Sequence, residues 1–208
     1  MTMGKRILWL LFVVLAAMTL SGCGQQTKLF NGQNLDGWKG YLADPDIEAA
    51  SIWSVKDDVL RCEGKPNGYI LTDKDYSNYK LHMEWRYPDK PVNSGVFLHV
   101  SGEDKIWPAT IEAQLKHQNA GDFVALGGTG FAELKKGRVL AKKHETNEKE
   151  PGQWNVYEII CKGDTITLYV NGLLQNRATK TTVSSGKIGL QSEGSPIEFR
   201  NVTITPLK

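Results

Sequence analysis

At 208 residues, 40% hydrophobic and 23% charged, the chain has the size of one all-β domain with an N-terminal extension. Its 25 basic and 23 acidic residues become 23 and 23 once residues 1–22 are set aside, because that segment holds Lys5 and Arg6 and no acid. A formally neutral chain lacks the basic excess of a general nucleic-acid binder, which excludes that class and leaves no nucleic acid among the expected partners.

The extension opens with Lys5 and Arg6, continues through an apolar run from Ile7 to Leu20, and ends in Ser21-Gly22-Cys23. A basic start, a hydrophobic stretch too short for a comfortable membrane span and small residues before a cut are the marks of a signal peptide. Leu20-Ser21-Gly22-Cys23 resembles the bacterial lipobox, so residues 1–22 read as a lipoprotein signal. Cys23 then becomes the lipidated first residue and 23–27 a polar tether to a domain over 28–208. The expected location is the cell envelope, with the membrane as a partner through that lipid. Gly24 in place of an inner-membrane-retaining Asp favours the outer membrane in a Gram-negative cell.

Within the domain, LFNG at 29–32 and LDGW at 35–38 pair hydrophobic anchors with turn dipeptides, as in a short edge strand. Residues 39–51 show no period and read as a loop. Further short strands are expected in IWSVKDDVLRCEG and YILTDKDYSNYK. From Tyr79 to His117 the alternation is clearest. Strand geometry sends Tyr79, Leu81, Met83, Trp85 and Tyr87 to one face and His82, Glu84 and Arg86 to the other. The same parity turns Val96, Leu98 and Val100 inward and Phe97 and His99 outward. It also buries Ile111, Ala113 and Leu115 while exposing Thr110, Glu112, Gln114 and Lys116. If the three strands share one antiparallel sheet, Glu84, Arg86, His99, Glu112 and Gln114 crowd a single surface.

The loop SGEDKIWP at 101–108 carries Trp107. The glycine-rich QNAGDFVALGGTG lacks phosphate-loop spacing, so nucleotide binding is rejected. Residues 135–152 form a charged insert expected to be a binding loop or mobile edge. In the last third, Asn171-Gly172 between alternating runs selects a type I′ hairpin. The apolar parity slips between Phe199 and Val202, which predicts a bulge near Arg200-Asn201. GLQSEG would add Gln191 and Glu193 to the polar face. About a dozen strands without an amphipathic helix imply two packed antiparallel sheets. Cys62 and Cys161 each lie in a strand and are read as buried thiols, although an oxidising compartment would permit a bond.

Several blocks occur together: LFNG..LDGW, WSVKDDVLRCEGKPNGYILT, YKLHMEWRYP, NSGVFLHV, IWPATIEAQL with its following AGD, GQWNVYEIICKGDTITLYVNG and GKIGLQSEGSPIEFRNVTITPL. They resemble, over residues 28–208, the bacterial family of 3-keto-disaccharide hydrolase domain proteins. The resemblance implies a concanavalin A-like jelly-roll sandwich and a sugar substrate whose C3 is a ketone. Such a ketone acidifies the C2 hydrogen, so a base forms an enolate, the C1 substituent departs and water adds back. On this reading Glu112 is the base or acid, His99 or Glu84 the second proton-transfer group, and Arg86 or a bound cation faces the oxyanion. Asn93, Gln114 and Gln191 would hold hydroxyls, and Trp107 would stack on a ring. A conventional glycosidase would instead use a carboxylate pair such as Glu84 and Glu112.

Blander roles exist for each: an ion ladder for Glu84 and Arg86, a turn for Asn93, a core-edge cap for Trp107. Acid and histidine side chains could hold a divalent cation, but no ligand motif specifies a metal or any other cofactor. A non-catalytic carbohydrate-binding lipoprotein is the alternative to the hydrolase.

Overall fold

The computed structural model describes residues 24–208, so the signal peptide expected at 1–22 and the lipidation expected at Cys23 lie outside the described residues. Fifteen short strands form among these residues, and in several of them buried and partly exposed positions alternate. In chain order they are β1 (Thr27–Lys28), β2 (Trp38–Leu42), β3 (Trp53–Lys56), β4 (Val59–Cys62), β5 (Gly68–Thr72), β6 (Tyr79–Arg86), β7 (Gly95–Ser101) and β8 (Ala109–Gln114). There follow β9 (Phe123–Leu126), β10 (Val139–Leu140), β11 (Asn155–Lys162), β12 (Thr165–Val170), β13 (Leu173–Ala178), β14 (Lys187–Ser192) and β15 (Ile197–Pro206). The first sheet runs β13-β12-β11-β6-β15-β4-β3, with β1 on β15; the second runs β10-β9-β8-β7-β14-β5-β2. Together they form the jelly-roll sandwich.

Between the sheets lies one large apolar core. Leu81, Met83 and Trp85 of β6 meet Val96 and Leu98 of β7 and Ile111 and Ala113 of β8 within it. A second, smaller apolar cluster occupies the opposite, outer face of the second sheet: Tyr69, Leu71, Phe97, Val100, Val124 and Leu126, with Tyr41 against it. Two turns behave as the sequence expects. Asn171 and Gly172 take φ of 48° and 82° between the paired β12 and β13, and a register shift between Arg200 and Thr203 places Asn201 at φ 52°. Cys62 and Cys161 are buried free thiols.

Three expectations change. Lys39–Leu42 is strand rather than loop, because Trp38–Leu42 pairs in full with β5 at the edge of the second sheet. Thr27–Lys28 pairs with Thr203–Ile204, so the ordered fold begins inside the proposed tether. Most consequentially, β6 does not neighbour β7. It pairs with β11 and β15 in the first sheet, so its polar face points away from β7 and β8 across the whole sandwich.

Candidate active site

The site is built on β8. Ile111 and Ala113 enter the core, so strand alternation forces Glu112 onto the outer face of the second sheet. In register it faces Phe97 of β7 and Val124 of β9. Gly95, opposite Gln114, supplies the space for its carboxylate: a Cβ there would overlap Glu112 Oε1. Glu112 is 3% exposed and its Oε1 has no hydrogen-bond partner. Burial, and then the nearby Glu193 carboxylate, push its pKa up to about 8 against the opposing charge of Arg138. A buried carboxylic acid poised near neutrality in a cleft has the protonation range of a general acid or base.

That cleft, of about 410 Å³, is lined by Glu112 together with Asn93, Gln114, Lys116, Asn119, Asp122, Arg138 and Glu193, and by Trp107, Val124, Leu126 and Val139. Each comes from a definable element. Asn93 bridges to Glu193 and Gly194, which draws the turns before β7 and after β14 together, and its Oδ1 is also unpartnered. The Gln114 side-chain oxygen accepts from the backbone N–H of Leu115 (3.0 Å) and Lys116 (2.9 Å), which leaves its amide N–H groups as donors. Tyr157 reaches through the core from β11, donates to the Gln114 carbonyl and accepts from the Gly121 N–H at 2.9 Å.

The charged insert is held in place from behind. The buried Asn176 amide of β13 donates to the carbonyls of Gly121 (3.1 Å), Leu140 (3.2 Å) and Ala141 (3.2 Å), and Asp122 Oδ1 accepts from Lys142 N at 2.8 Å. These bonds bring β10, with Arg138 and Val139, to the cleft wall.

Of the residues singled out from sequence, Glu112, Gln114, Asn93 and Trp107 line this cleft. Gln191 lies on the same face in register with Tyr69, buried beneath the surface with both side-chain polar atoms unpartnered. Tyr69 Oη donates to the Lys105 carbonyl at 2.9 Å, tying the 102–107 loop across this part of the sheet.

Glu84, Arg86 and His99 are elsewhere, which corrects their expected convergence with Glu112. Glu84 accepts from Arg200 Nε (2.8 Å) and Asn201 Nδ2 (2.7 Å) on the outer face of the first sheet. Arg86 pairs with Glu198 at 2.6 Å, and Arg86 and Arg200 stack at 4.5 and 4.1 Å on the Trp154 ring. This is the ion ladder that the two-residue spacing allowed. His99 sits at φ 59° in a bulge where the β7 register shifts against both β8 and β14. The bulge turns its ring into the core, edge-on to Tyr79 at 5.5 Å between centroids, and sends Val100 outward instead. Burial lowers the pKa of that imidazole.

Sequence reasoning turned Lys116 outward beside Glu112 without giving it a role, and missed Asn119, Asp122 and Arg138. Asp122 was within reach, since it shares parity with Val124 and Leu126; Arg138 lies in an insert without a period to read. Among the described residues no group of three or more His, Cys, Asp and Glu is arranged to hold a metal ion.

Known proteins resemble the chain over most of its length. Residues 25–205 match the family described as 3-keto-alpha-glucoside-1,2-lyase-like domain. A 3-keto-disaccharide hydrolase of Bacteroides thetaiotaomicron is 23% identical over 159 residues, 66% of this chain and 53% of the relative, so the chain spans about half the length of that relative. A crystal structure from Parabacteroides distasonis, provisionally described as a glycosyl hydrolase, superposes with TM-score 0.66 at 26% identity over 88% of this chain and 100% of the other. A Bacillus licheniformis β-glucanase shares the fold alone, at 15% identity and TM-score 0.55 over 90% and 99% of the two chains. With all but the ends of the described domain matched, the chain belongs to the 3-keto-alpha-glucoside-1,2-lyase-like domain family.

Proposed function

We propose that this glycosidase-type domain cleaves 3-keto-glycosides by elimination and rehydration, with Glu112 as the proton-transfer group. The single observation that carries the reading is Glu112 itself: a carboxyl at the floor of a polar cleft, with an unpartnered oxygen and a pKa near 8. Ionised Glu112 takes the C2 proton, made acidic by the C3 ketone, and the C–H pair becomes the enolate. Collapse of the enolate breaks the C1–O bond, and the departing oxygen is protonated. Water then adds across C1 and C2, restoring the C2 hydrogen and giving the free 3-keto-sugar. Arg138 replaces Arg86 as the cation facing the developing oxyanion, since it lines the cleft and its charge is already felt at Glu112. Glu112, protonated by that first step, returns the proton to the departing oxygen, while Glu193 and Asp122 are the other carboxylates of the cleft. Asn93 and Gln114 hold sugar hydroxyls.

Turnover of a 3-keto-α-glucoside in deuterated water tests this. The expected product is 3-keto-glucose carrying deuterium at C2. Release of product with its original C2 hydrogen contradicts it, and saturable binding without product supports a binding module instead. The same reading anchors the protein to the envelope through a lipid on Cys23; palmitate labelling that survives Cys23→Ala would contradict the anchor.

A further inference from the structure

The cleft is divided along its length. β8 and β9 run antiparallel, with Glu112 opposite Val124 and Thr110 opposite Leu126, while Gln114 N donates to Asp122 O at 3.0 Å. Moving from Glu112 toward Gln114, every lining side chain is polar: Gln114, Asp122, Asn119, Lys116 and, across Gly95, Asn93. Val124 and Val139 stand level with Glu112 across the sheet, and beyond them toward Thr110 the lining is Leu126 and Trp107, with Arg138 as its one charged member. At a strand rise near 3.3 Å, each half extends about 7 Å from the Glu112 Cα, room for roughly one six-membered ring.

The two halves also differ in what their polar atoms are doing. On the polar side, Glu112 Oε1 and Asn93 Oδ1 have no protein partner. On the other side the hydroxyls are spent internally: Thr110 Oγ1 donates to Leu98 O at 2.8 Å, and Thr129 Oγ1 meets Thr110 O and Leu126 O at 2.8 and 2.9 Å. Meanwhile Trp107 and Val139 remain 41% and 49% exposed, two of the five large apolar side chains left in water among the described residues. An isolated exposed apolar residue is unremarkable, but an exposed pair over an apolar floor beside a polar half-site marks a ligand surface.

We propose that the apolar side of the cleft, from Val139 beside Glu112 to Trp107 and Leu126 beyond it, binds an apolar, ring-shaped aglycone, so that preferred substrates are 3-keto-glucosides of aromatic or alicyclic alcohols and not disaccharides. This rests on the proposed function for the position of the scissile bond over Glu112. The sugar occupies the half whose donors and acceptors match hydroxyls. A second sugar in the other half would have to strip its hydroxyls of water without replacement hydrogen bonds, which costs more than the ring's apolar face returns. An aryl or cyclohexyl group has no such penalty, and its face meets the indole of Trp107 and the side chains of Leu126 and Val139.

Calorimetric binding of unoxidised α-glucosides, which lack the ketone and are not turned over, reads this preference apart from catalysis. Cyclohexylmethyl α-glucoside is the probe, because its alcohol is no better a leaving group than a sugar's. It is expected to bind at least about tenfold tighter than both methyl α-glucoside and isomaltose, the gain from covering one such ring. Trp107→Ala and Val139→Asn should each shrink that ratio severalfold, both being surface changes that the fold tolerates. Isomaltose binding as tightly as the cyclohexylmethyl compound, a ratio unmoved by either substitution, or no binding of any of the three, overturns the proposal. A preserved preference in a protein that cleaves no 3-keto-glucoside would instead leave the apolar half standing and remove the reaction.

Discussion

Glu112 owes its properties to its two neighbours in space. Gly95 gives it room, and Glu193 and burial together keep it protonated near neutrality. Gly95→Ala would force the carboxylate aside, so kcat/KM on a 3-keto-α-glucoside should fall on the order of 100-fold, the scale expected of a displaced catalytic group, while β7 remains paired. Retained activity in the folded variant would show that the carboxylate position is not critical. Burial of Glu112 also makes stability depend on pH. Its folded pKa of about 8 lies above the unfolded value near 4.3, so the native state holds the extra proton between them and stability falls as pH rises through that window. Denaturant melts of Glu112→Gln should be flatter than wild type from pH 5 to 8, by an amount on the order of a few kcal/mol across the window. Parallel curves would place the ionisation elsewhere.

At the level of elements, the site depends on strands whose faces are legible and on neighbours that are not. Period-two alternation reveals that Glu112 must oppose Ile111 and Ala113, and the same rule reads β6 correctly as half buried. It cannot say that β6 belongs to the other sheet, because its partners β11 and β15 lie far along the chain and its alternation is identical in either sheet. The two bulges make the same point. Around Asn201 the apolar parity slips and betrays the extra residue, whereas Val96-Phe97-Leu98 is apolar on both faces and masks the one at His99. The path of the charged insert, though not its presence, escapes prediction because buried amides of β13, not a hydrophobic pattern, fasten it. Asn176→Leu would leave the Gly121, Leu140 and Ala141 carbonyls unpaired, with an expected loss of about 1–3 kcal/mol in denaturant unfolding. It should also raise KM as Asp122 and Arg138 loosen; an unchanged KM would show that the insert is held by other contacts.

Across the whole molecule, chemistry and support are segregated onto opposite faces of the sandwich. The second sheet carries the cleft, and the first carries an outward ladder in which Glu84 pairs with Arg200 and Glu198 with Arg86 and Arg61. Glu84→Gln should therefore leave turnover within about twofold and cost about 1 kcal/mol or less, as distant surface pairs do. A large loss of kcat with the fold intact would tie the two faces together. The same segregation makes Glu112 the one proton-transfer group whose ionisation should govern the reaction, and the pH dependence of kcat/KM on a 3-keto-α-glucoside reads that ionisation in the free enzyme. The expected profile rises through a single ionisation near pH 8 as Glu112 becomes the base. A profile flat from pH 6 to 9, or one that breaks only in the ordinary carboxylate range near 4.3, would contradict it.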